Sequence, residues 1–321
     1  MHTFSRRALL AGIAPLIALS PLNAQEQTVR IVFPFAAGGS GDAVARMIAE
    51  HLQSRLRRPV IVENRTGAAG RIGAQAVRDA PPDGTVLLLA TGAQLTLQPH
   101  VFPDLGYSPF ADFTPISQVL TFEQALVVSR QVPVQSINDL VAWFKANPDQ
   151  AAYGSPGVGT GPHFIAMEFG RVFDLNLRHI PYRGTPAALP DVLAGRIPMY
   201  IASGAELIQH HKSGGIRIIA TVGPARSPFL PDVPTLKESG VHIEAPGWSA
   251  FYAPARTPRE VVGRLERDIA AAIHAPETRA RILAMGFQPT GTSAGELERI
   301  QRLEFDRWAV VVKASGYKAE Q

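Results

Sequence analysis

Twice in this chain, a run of strand-forming apolar residues leads into a glycine-rich stretch and then into an amphipathic helix pattern. In the first unit the strand TVRIVFPF is followed by a first glycine loop, residues 36–42, and a helix over about residues 42–57. In the second, the strand AAYGS is followed by a second glycine loop, residues 155–163, and its own helix. Strands that alternate with helices usually form a mostly parallel sheet covered by helices, so these units predict an α/β fold. Ligands of open α/β sheets lie beyond the carboxyl ends of the strands, where both loops fall.

Each unit belongs to a longer series of strand and helix patterns. Strands and helices alternate up to residue 91, a Pro- and Phe-rich stretch covers residues 99–115, and a second series runs from QALVVS to IRIIATVG. A strand near residues 248–253 and three helix patterns complete the chain. We therefore expect two α/β lobes with a cleft between them. Residues 25–125 and 247–321 are predicted to form lobe 1, and residues 126–246 to form lobe 2.

The first 24 residues have the pattern of a cleavable export signal. A basic start that contains Arg6 and Arg7 precedes an apolar stretch over residues 8–19, and Ala24 is a small residue suited to the cleavage site. The arginine pair resembles a twin-arginine signal, and an ordinary Sec signal fits the same residues. We expect a periplasmic protein from which residues 1–24 have been removed.

Composition narrows the possible partners. The chain has no cysteine, so it has no disulfide, no thiolate metal site and no lipid-bearing cysteine. The formal net charge of +4 includes Arg6 and Arg7, and the basic residues form no long run, which argues against nucleic acid as a partner. After Leu22 no apolar run is long enough to span a bilayer. We expect a monomer that is free in the periplasm.

Both glycine loops have the chemistry of an anion site. Glycine lets the backbone approach a ligand closely, and a helix that starts at the loop adds free N–H groups and a partial positive charge. Neither loop has the lysine of a phosphate-binding P-loop or a G-x-G-x-x-G pattern followed by an acid. This pattern favours a small carboxylate over a nucleotide and predicts no cofactor. Ordinary strand-to-helix turns are also rich in glycine, so a purely structural role for the loops stays open.

The sequence contains no recognisable metal or catalytic motif. His210 and His211 are adjacent rather than one helical turn apart, which argues against a metal pair. No spacing pairs two carboxylates for acid–base catalysis, and no G-x-S-x-G elbow occurs around Ser155. The sequence therefore predicts no metal site and no catalytic residue.

Several single residues fit two roles each. His163 and His179 could contact a ligand or, as buried histidines more often do, hydrogen-bond within the structure. Trp248 could line a cleft or pack in the core. In the stretch PYRG, Tyr182 or Arg183 could point at a ligand, or Arg183 could form a surface salt bridge.

Seven blocks, taken in order, resemble the Bug family, the periplasmic solute receptors of tripartite tricarboxylate transporters. They are FPFAAGGSGDAVAR, VIVENRTGAAGRIGAQAV, APPDGTVLLLAT, YGSPGVGTGPH, HIPYRGTPAALPDVLAGRI, RSPFLPDVPTLKESG and APARTP. The resemblance implies a type II periplasmic-binding fold, in which two mixed-sheet α/β lobes close around one small ligand, usually a carboxylate. It implies a protein that is not an enzyme, and a transporter permease or a sensor kinase as its partner. A periplasmic α/β hydrolase on the same layout is the alternative.

The resemblance also implies which residues bind the ligand. Together with the loop chemistry, it gives a predicted set drawn from both loops, one strand end and lobe 2: Phe35, Ala36, Gly38, Gly39, Ser40, Asp42, Thr91, Gly92, Ser155, Gly157, Gly159, Thr160, Gly161, His163, Tyr182, Asp191 and Ala202.

This chain departs from the family pattern at four places. Gly41 and Pro162 stand where hydroxyl residues are common, Pro198 replaces a frequent aspartate, and Ala202 lies in a region that is often polar. These differences predict a less polar cleft and a ligand that has an apolar or aromatic body beside its carboxylate.

Overall fold

The computed structural model describes residues 28–243 and 245–319. The predicted export signal, residues 1–24, lies outside these residues, so its prediction stands on sequence alone.

Strands and helices alternate over most of the described chain. The strands are β1 Val29–Phe33, β2 Val60–Asn64, β3 Val86–Thr91, β4 Phe113–Phe122, β5 Gln124–Ser129, β6 Ala152–Ser155, β7 Arg178–Pro181, β8 Met199–Ser203, β9 Ile216–Val222, β10 Gly247–Pro254 and β11 Gln288–Pro289. The helices are α1 Ser40–Leu56, α2 Arg71–Arg78, α3 Gly92–Thr96, α4 Gln98–Val101, α5 Ile137–Ala146, α6 Gly161–Phe173, α7 Thr185–Leu193, α8 Gly204–Lys212, α9 Arg259–His274, α10 Pro276–Ala284 and α11 Ala294–Ser315.

The strands of the described residues form two mixed sheets. The first has the order β11-β4-β10-β3-β1-β2, and the second has the order β7-β6-β8-β5-β9. In the first sheet β1 is parallel to β2 and β3, whereas β10 is antiparallel to β3 and β4. In the second sheet β6 is parallel to β7 and β8, whereas β5 is antiparallel to β8 and β9. The predicted fold of two mixed α/β lobes is confirmed.

The chain crosses between the sheets twice. β4 ends at Phe122 in the first sheet and β5 begins at Gln124 in the second, so the first crossing falls at Glu123. The chain returns between the end of β9 and the start of β10 at Gly247. The sequence places the two lobe boundaries after residues 125 and 246.

The predicted apolar helix faces form the core of each lobe. In α1, Val44, Ile48 and Leu52 are fully buried against the first sheet, and in α6, Phe164 and Phe169 are buried against the second. Burial of each such side chain contributes about 1.5–3 kcal/mol. The cores therefore hold the starts of both helices, and the loops before them, in fixed positions.

Helix α11 contacts both lobes. It packs against β4, α3 and α4 of the first lobe. Near its end, Trp308 and Val312 belong to the same buried cluster as Phe164 of the second lobe, and the rings of Tyr317 and His163 lie 4.8 Å apart, edge to face. The last helix is therefore a structural connection between the lobes as well as part of lobe 1.

Candidate functional site: a cleft between the two sheets

A cavity of about 120 Å³ lies between the lobes. Apolar side chains make up most of its wall, and the large ones come from elements of the first lobe: Phe33, Phe35, Val44, Leu89, Leu120, Phe122, Trp248, Phe287 and Trp308. Such a cavity is small beside the 300–1,000 Å³ that is usual for drug-sized ligands. Its size and lining suit a molecule of few heavy atoms with an apolar body.

Within the described residues, five helices begin at this cavity. Residues at or near the first turns of α1, α3, α6, α7 and α8 line it, among them Gly41, Gly92, Gly161, Thr185 and Ser203. The first N–H groups of a helix have no partner within the helix, and the aligned peptide dipoles give this end a partial positive charge. Several helix starts that face one cavity therefore make it a favourable place for an anion.

The first glycine loop contributes part of the cavity wall. Phe35, Ala36 and the neighbouring Gly41 line the cavity, whereas Gly38, Gly39, Ser40 and Asp42 are not among its lining residues. A Cβ on Gly41 would lie 2.8 Å from Cζ of Phe33. The glycine at position 41 therefore makes room for an aromatic ring in the wall.

Asp42 stabilises the loop instead of facing the cavity. Its carboxylate accepts hydrogen bonds from Arg46 at 2.9 Å, from Nδ2 of Asn64 at 2.9 Å and from the N–H of Gly38 at 3.1 Å. Burial by itself would raise the pKa of Asp42, but these hydrogen bonds outweigh it and hold the pKa below its usual value. The Asp42 carboxylate is thus hydrogen-bonded to three groups of lobe 1.

Gly39 and Ser40 contact the other lobe across the cleft. The Ser40 hydroxyl donates to the backbone carbonyl of Ala205 at 3.2 Å. A Cβ on Gly39 would lie 2.9 Å from Oε1 of Glu206 and 3.4 Å from Cγ of Pro186. The absence of a side chain at position 39 lets the first loop approach the starts of α7 and α8.

Two residues of the predicted set in the second loop, Thr160 and Gly161, line the cavity. Gly157 and Gly159 do not, and a Cβ on either would press on another part of the first lobe: Ala69 at 3.0 Å for Gly157, and the ring of Phe102 at 2.7 Å for Gly159. These two glycines therefore set the close packing of the loop against lobe 1.

Ser155 and His163 are buried outside the cavity and both contact His179, which is partly buried. The Ser155 hydroxyl lies 2.7 Å from Nε2 of His179, and the rings of His179 and His163 stack at 4.3 Å. Burial lowers the pKa of His163 to about 3, with a further contribution from His179, and burial lowers that of His179 to about 4. Both rings are neutral at pH 7. Because Ser155 has no exposed surface, this serine–histidine contact is not placed to attack a substrate.

The three predicted residues after the second loop also lie off the cavity. The Tyr182 hydroxyl donates to Asp191 at 2.8 Å, and Arg196 donates to the same carboxylate at 2.7 Å. Ala202 is fully buried in the core of the second sheet. None of the three is among the lining residues of the cavity.

Thr91, Gly92 and Trp248 form one corner of the cavity. Thr91 caps α3 through a reciprocal capping box with Gln94. A Cβ on Gly92 would lie 2.4 Å from Cε2 of Trp248, so that the indole packs flat against this glycine. Trp248 is 3% exposed and lines the cavity, which means that it fills both of the roles considered for it.

Several polar lining residues were not in the predicted set. They include Gln124, Thr185, Ser203 and Glu206, all on elements of the second lobe. For helix α8, which carries Glu206, the sequence indicated only an end at His210 and His211 and no start. Its sequence signal is Ser203-Gly-Ala-Glu206, which has the spacing of a capping box before a helix.

The family model described as "Tripartite tricarboxylate transporter family receptor" matches residues 44–317. The chain belongs to this family. Protein BugT of Bordetella pertussis is 31% identical to it over 310 residues, which cover 96% of this chain and 94% of BugT. The family predicted from the sequence blocks is therefore confirmed.

Solved structures of receptors agree with the family assignment. The periplasmic binding protein BugD is 31% identical, with a TM-score of 0.86, and the match covers 91% of this chain and 99% of BugD. The R. palustris protein Rpa4515, solved with adipate, is 30% identical, with a TM-score of 0.86, and covers 90% of this chain and 97% of its own. The periplasmic-binding-protein fold is confirmed.

No group of three or more His, Asp or Glu side chains in the described residues is arranged to hold a metal ion. No helix among the described residues is long and apolar enough to cross a bilayer.

Proposed function

We propose that this receptor binds a small organic carboxylate in the periplasm, in the cavity between its lobes. The observation that carries the proposal is the convergence of helix starts on one small cavity, since their free N–H groups and dipoles favour an anion. The adipate in the Rpa4515 structure supports it, because adipate is a carboxylate held by a protein of the same fold.

In this proposal the ligand carboxylate lies against the first turns of α1 and α6. Gly41 and Gly161 line the cavity at these turns, and the space beside Gly161 is open, so no Cβ keeps the ligand from its backbone. The ligand body lies against the aromatic wall formed by Phe35, Phe122 and Trp248. This wall supports a ligand with an apolar or aromatic body.

Binding drives closure through contacts between the lobes. Ser40 of the first loop and Ala205 at the start of α8 already meet across the cleft. A ligand that bridges the lobes stabilises this arrangement over an open one, which is a shift in population. We infer that a permease of a tripartite transporter, or a sensor kinase, recognises the closed form of an exported monomer.

A thermal-shift and calorimetry screen tests the proposal. Benzoate and adipate are compared with benzamide and with citrate. We expect benzoate-like acids to raise the unfolding temperature and benzamide to have little effect, because only the acids carry the anion. Equal stabilisation by benzamide would contradict the anion site. Tight citrate binding without any binding of benzoate-like acids would contradict the apolar body of the ligand.

A further inference from the structure

Three polar side chains of the second lobe, each with an oxygen that can accept a hydrogen bond, line the cavity: Gln124, Ser203 and Glu206. Gln124 and Ser203 are cross-strand neighbours in the β5–β8 pair. Among the described residues, Oε1 of Gln124 and Oγ of Ser203 are buried and have no hydrogen-bond partner. Gln124 is 6% exposed. Buried polar atoms are normally paired, so these atoms indicate a missing partner inside the cavity.

The start of α8 has the residues of a capping box but does not form one. In a capping box, Ser203 would accept from the backbone N–H of Glu206, and Glu206 would reach back to the N–H of Ser203. Here Ser203 makes no side-chain capping bond, and both side chains line the cavity instead. The sequence here favours a capping box that the structure does not form, and such a departure from local sequence preference at a cavity is typical of a functional site.

Thr185 forms a hydrogen bond with the carboxyl group of Glu206. The Tyr200 hydroxyl donates to Oγ1 of Thr185 at 3.2 Å, which leaves the single hydroxyl hydrogen of Thr185 for Glu206. Thr185 is 1% exposed, so water does not compete for this arrangement. Glu206 thus accepts from Thr185, and its other oxygen is available to a ligand. Burial raises the pKa of Glu206, and the hydrogen bond from Thr185 offsets part of this rise.

No cation of the described residues forms an ion pair with Glu206. The second acid in the cavity wall, Glu304, is paired with Arg307. Asp42 on α1 is neutralised by Arg46. A partly buried carboxylate without a cation is costly, and a positively charged or hydrogen-bond-donating ligand group would offset that cost.

We propose that Gln124, Ser203 and Glu206 form a donor-selective end of the cavity, so that the preferred ligand is an organic acid that also carries an ammonium group. A hydroxyl group in the same place is a weaker substitute. A second carboxylate, as in adipate, would face the carboxylate of Glu206 and be disfavoured. This inference rests on the proposed function, because it assumes that the carboxylate of the ligand is held at the starts of α1 and α6.

Calorimetry at pH 7.5 with matched acids tests the selectivity. Each series keeps one carbon skeleton and varies the group opposite the carboxylate. The aromatic series is 4-methylbenzoate, 4-(hydroxymethyl)benzoate, 4-(aminomethyl)benzoate and terephthalate. The aliphatic series is pentanoate, 5-hydroxypentanoate, 5-aminopentanoate and glutarate. In at least one series we expect the amino acid to bind at least ~10-fold more tightly than the unsubstituted acid, and the diacid to bind most weakly.

The variant Glu206→Gln keeps the shape of the side chain and removes the charge. We expect it to bring the affinity ratio of amino to unsubstituted acid close to one and to improve diacid binding. Glu277→Gln, on the exposed start of α10, is the matched control and should keep the wild-type order. Circular dichroism establishes that both variants fold.

The outcomes separate the two proposals. If, in both series, the unsubstituted acid or the diacid binds the wild type as tightly as the amino acid does, the donor-selective end is refuted while the carboxylate site stands. The same holds if Glu206→Gln retains the preference for the amino acid. If none of the acids binds, the carboxylate site itself is refuted, and the selectivity with it.

Discussion

Replacing Gly161 with alanine places a methyl group in the cavity without disturbing the fold. The nearest atom to a Cβ built on Gly161 is Nε2 of Gln124, at 3.8 Å, which is an ordinary van der Waals distance. Gly161 is the first residue of α6, so its N–H has no acceptor within the helix. Alanine is also a better helix former than glycine. We therefore expect the variant to fold at least as well as the wild type.

The expected loss of affinity follows from the amide that the methyl group shields. If the carboxylate of the ligand can no longer reach the N–H of Gly161, one hydrogen bond to a charged group is lost, at a cost of about 1.5–3 kcal/mol. This corresponds to ~10- to 150-fold weaker binding. Calorimetry with the tightest acid from the screen measures the dissociation constant, and thermal unfolding without ligand measures the stability.

Gly263→Ala on α9 is the matched control, because a Cβ there meets only the end of Arg267, at 3.6 Å. It should increase the stability by about 0.5–1 kcal/mol and leave the affinity unchanged. If Gly161→Ala binds the acid as tightly as Gly263→Ala does, the start of α6 does not hold the carboxylate. A large loss of stability in Gly161→Ala would instead show that the space beside Gly161 is too small for a methyl group.

Three further predictions concern packing and charge. Gly92→Ala forces a Cβ against the indole of Trp248 and should destabilise the fold by about 1–3 kcal/mol in thermal unfolding, whereas an unchanged melting temperature would contradict this packing. The lowered pKa of Asp42 means that its contribution to stability is present above its usual pKa of 3.8 and is lost as the pH falls through the lower folded value. Asp42→Asn should therefore be less stable than the wild type at pH 7 and approach it in acid, as followed by urea unfolding at several pH values, and a pH-independent difference would argue against this. The affinity for an amino acid ligand should decrease as the pH falls through the raised pKa of Glu206, because protonation removes the negative charge that attracts the ammonium group. Calorimetry at several pH values measures this dependence, and Glu206→Gln should lack it.

The fold could be predicted from the sequence because its signals are local. The apolar run TVLLLAT becomes β3, and the pattern of Val44, Ile48 and Leu52 becomes the buried face of α1. Strand β4 was not predicted, since Pro115 and polar residues interrupt its apolar pattern. The start of helix α8 was not predicted because the helix is short and directly follows β8, so that only the spacing of Ser203 and Glu206 marks its start.

The candidate site could be predicted only where it is built from a strand end and the helix that follows it. Thr91, Thr160 and Gly161 line the cavity as such positions should. Asp42 stands at a similar position, but Arg46 and Asn64 take up its carboxylate. No sequence pattern shows these hydrogen bonds, because they depend on which side chains lie near Asp42 in the folded chain.

The contact between the lobes was also beyond the sequence. Gly39 and Glu206 are far apart in the chain, and the fold places a Cβ position of one 2.9 Å from the carboxylate of the other. Glu206 was absent from the predicted set because no sequence pattern placed the start of α8 at the cleft.

A crystal structure of the chain with its tightest-binding organic acid tests the central claim most directly. We predict that the carboxylate oxygens lie about 3 Å from backbone nitrogens in the first turns of α1 and α6, between the two lobes. A carboxylate bound elsewhere, with water in its place at these two turns, would contradict the account.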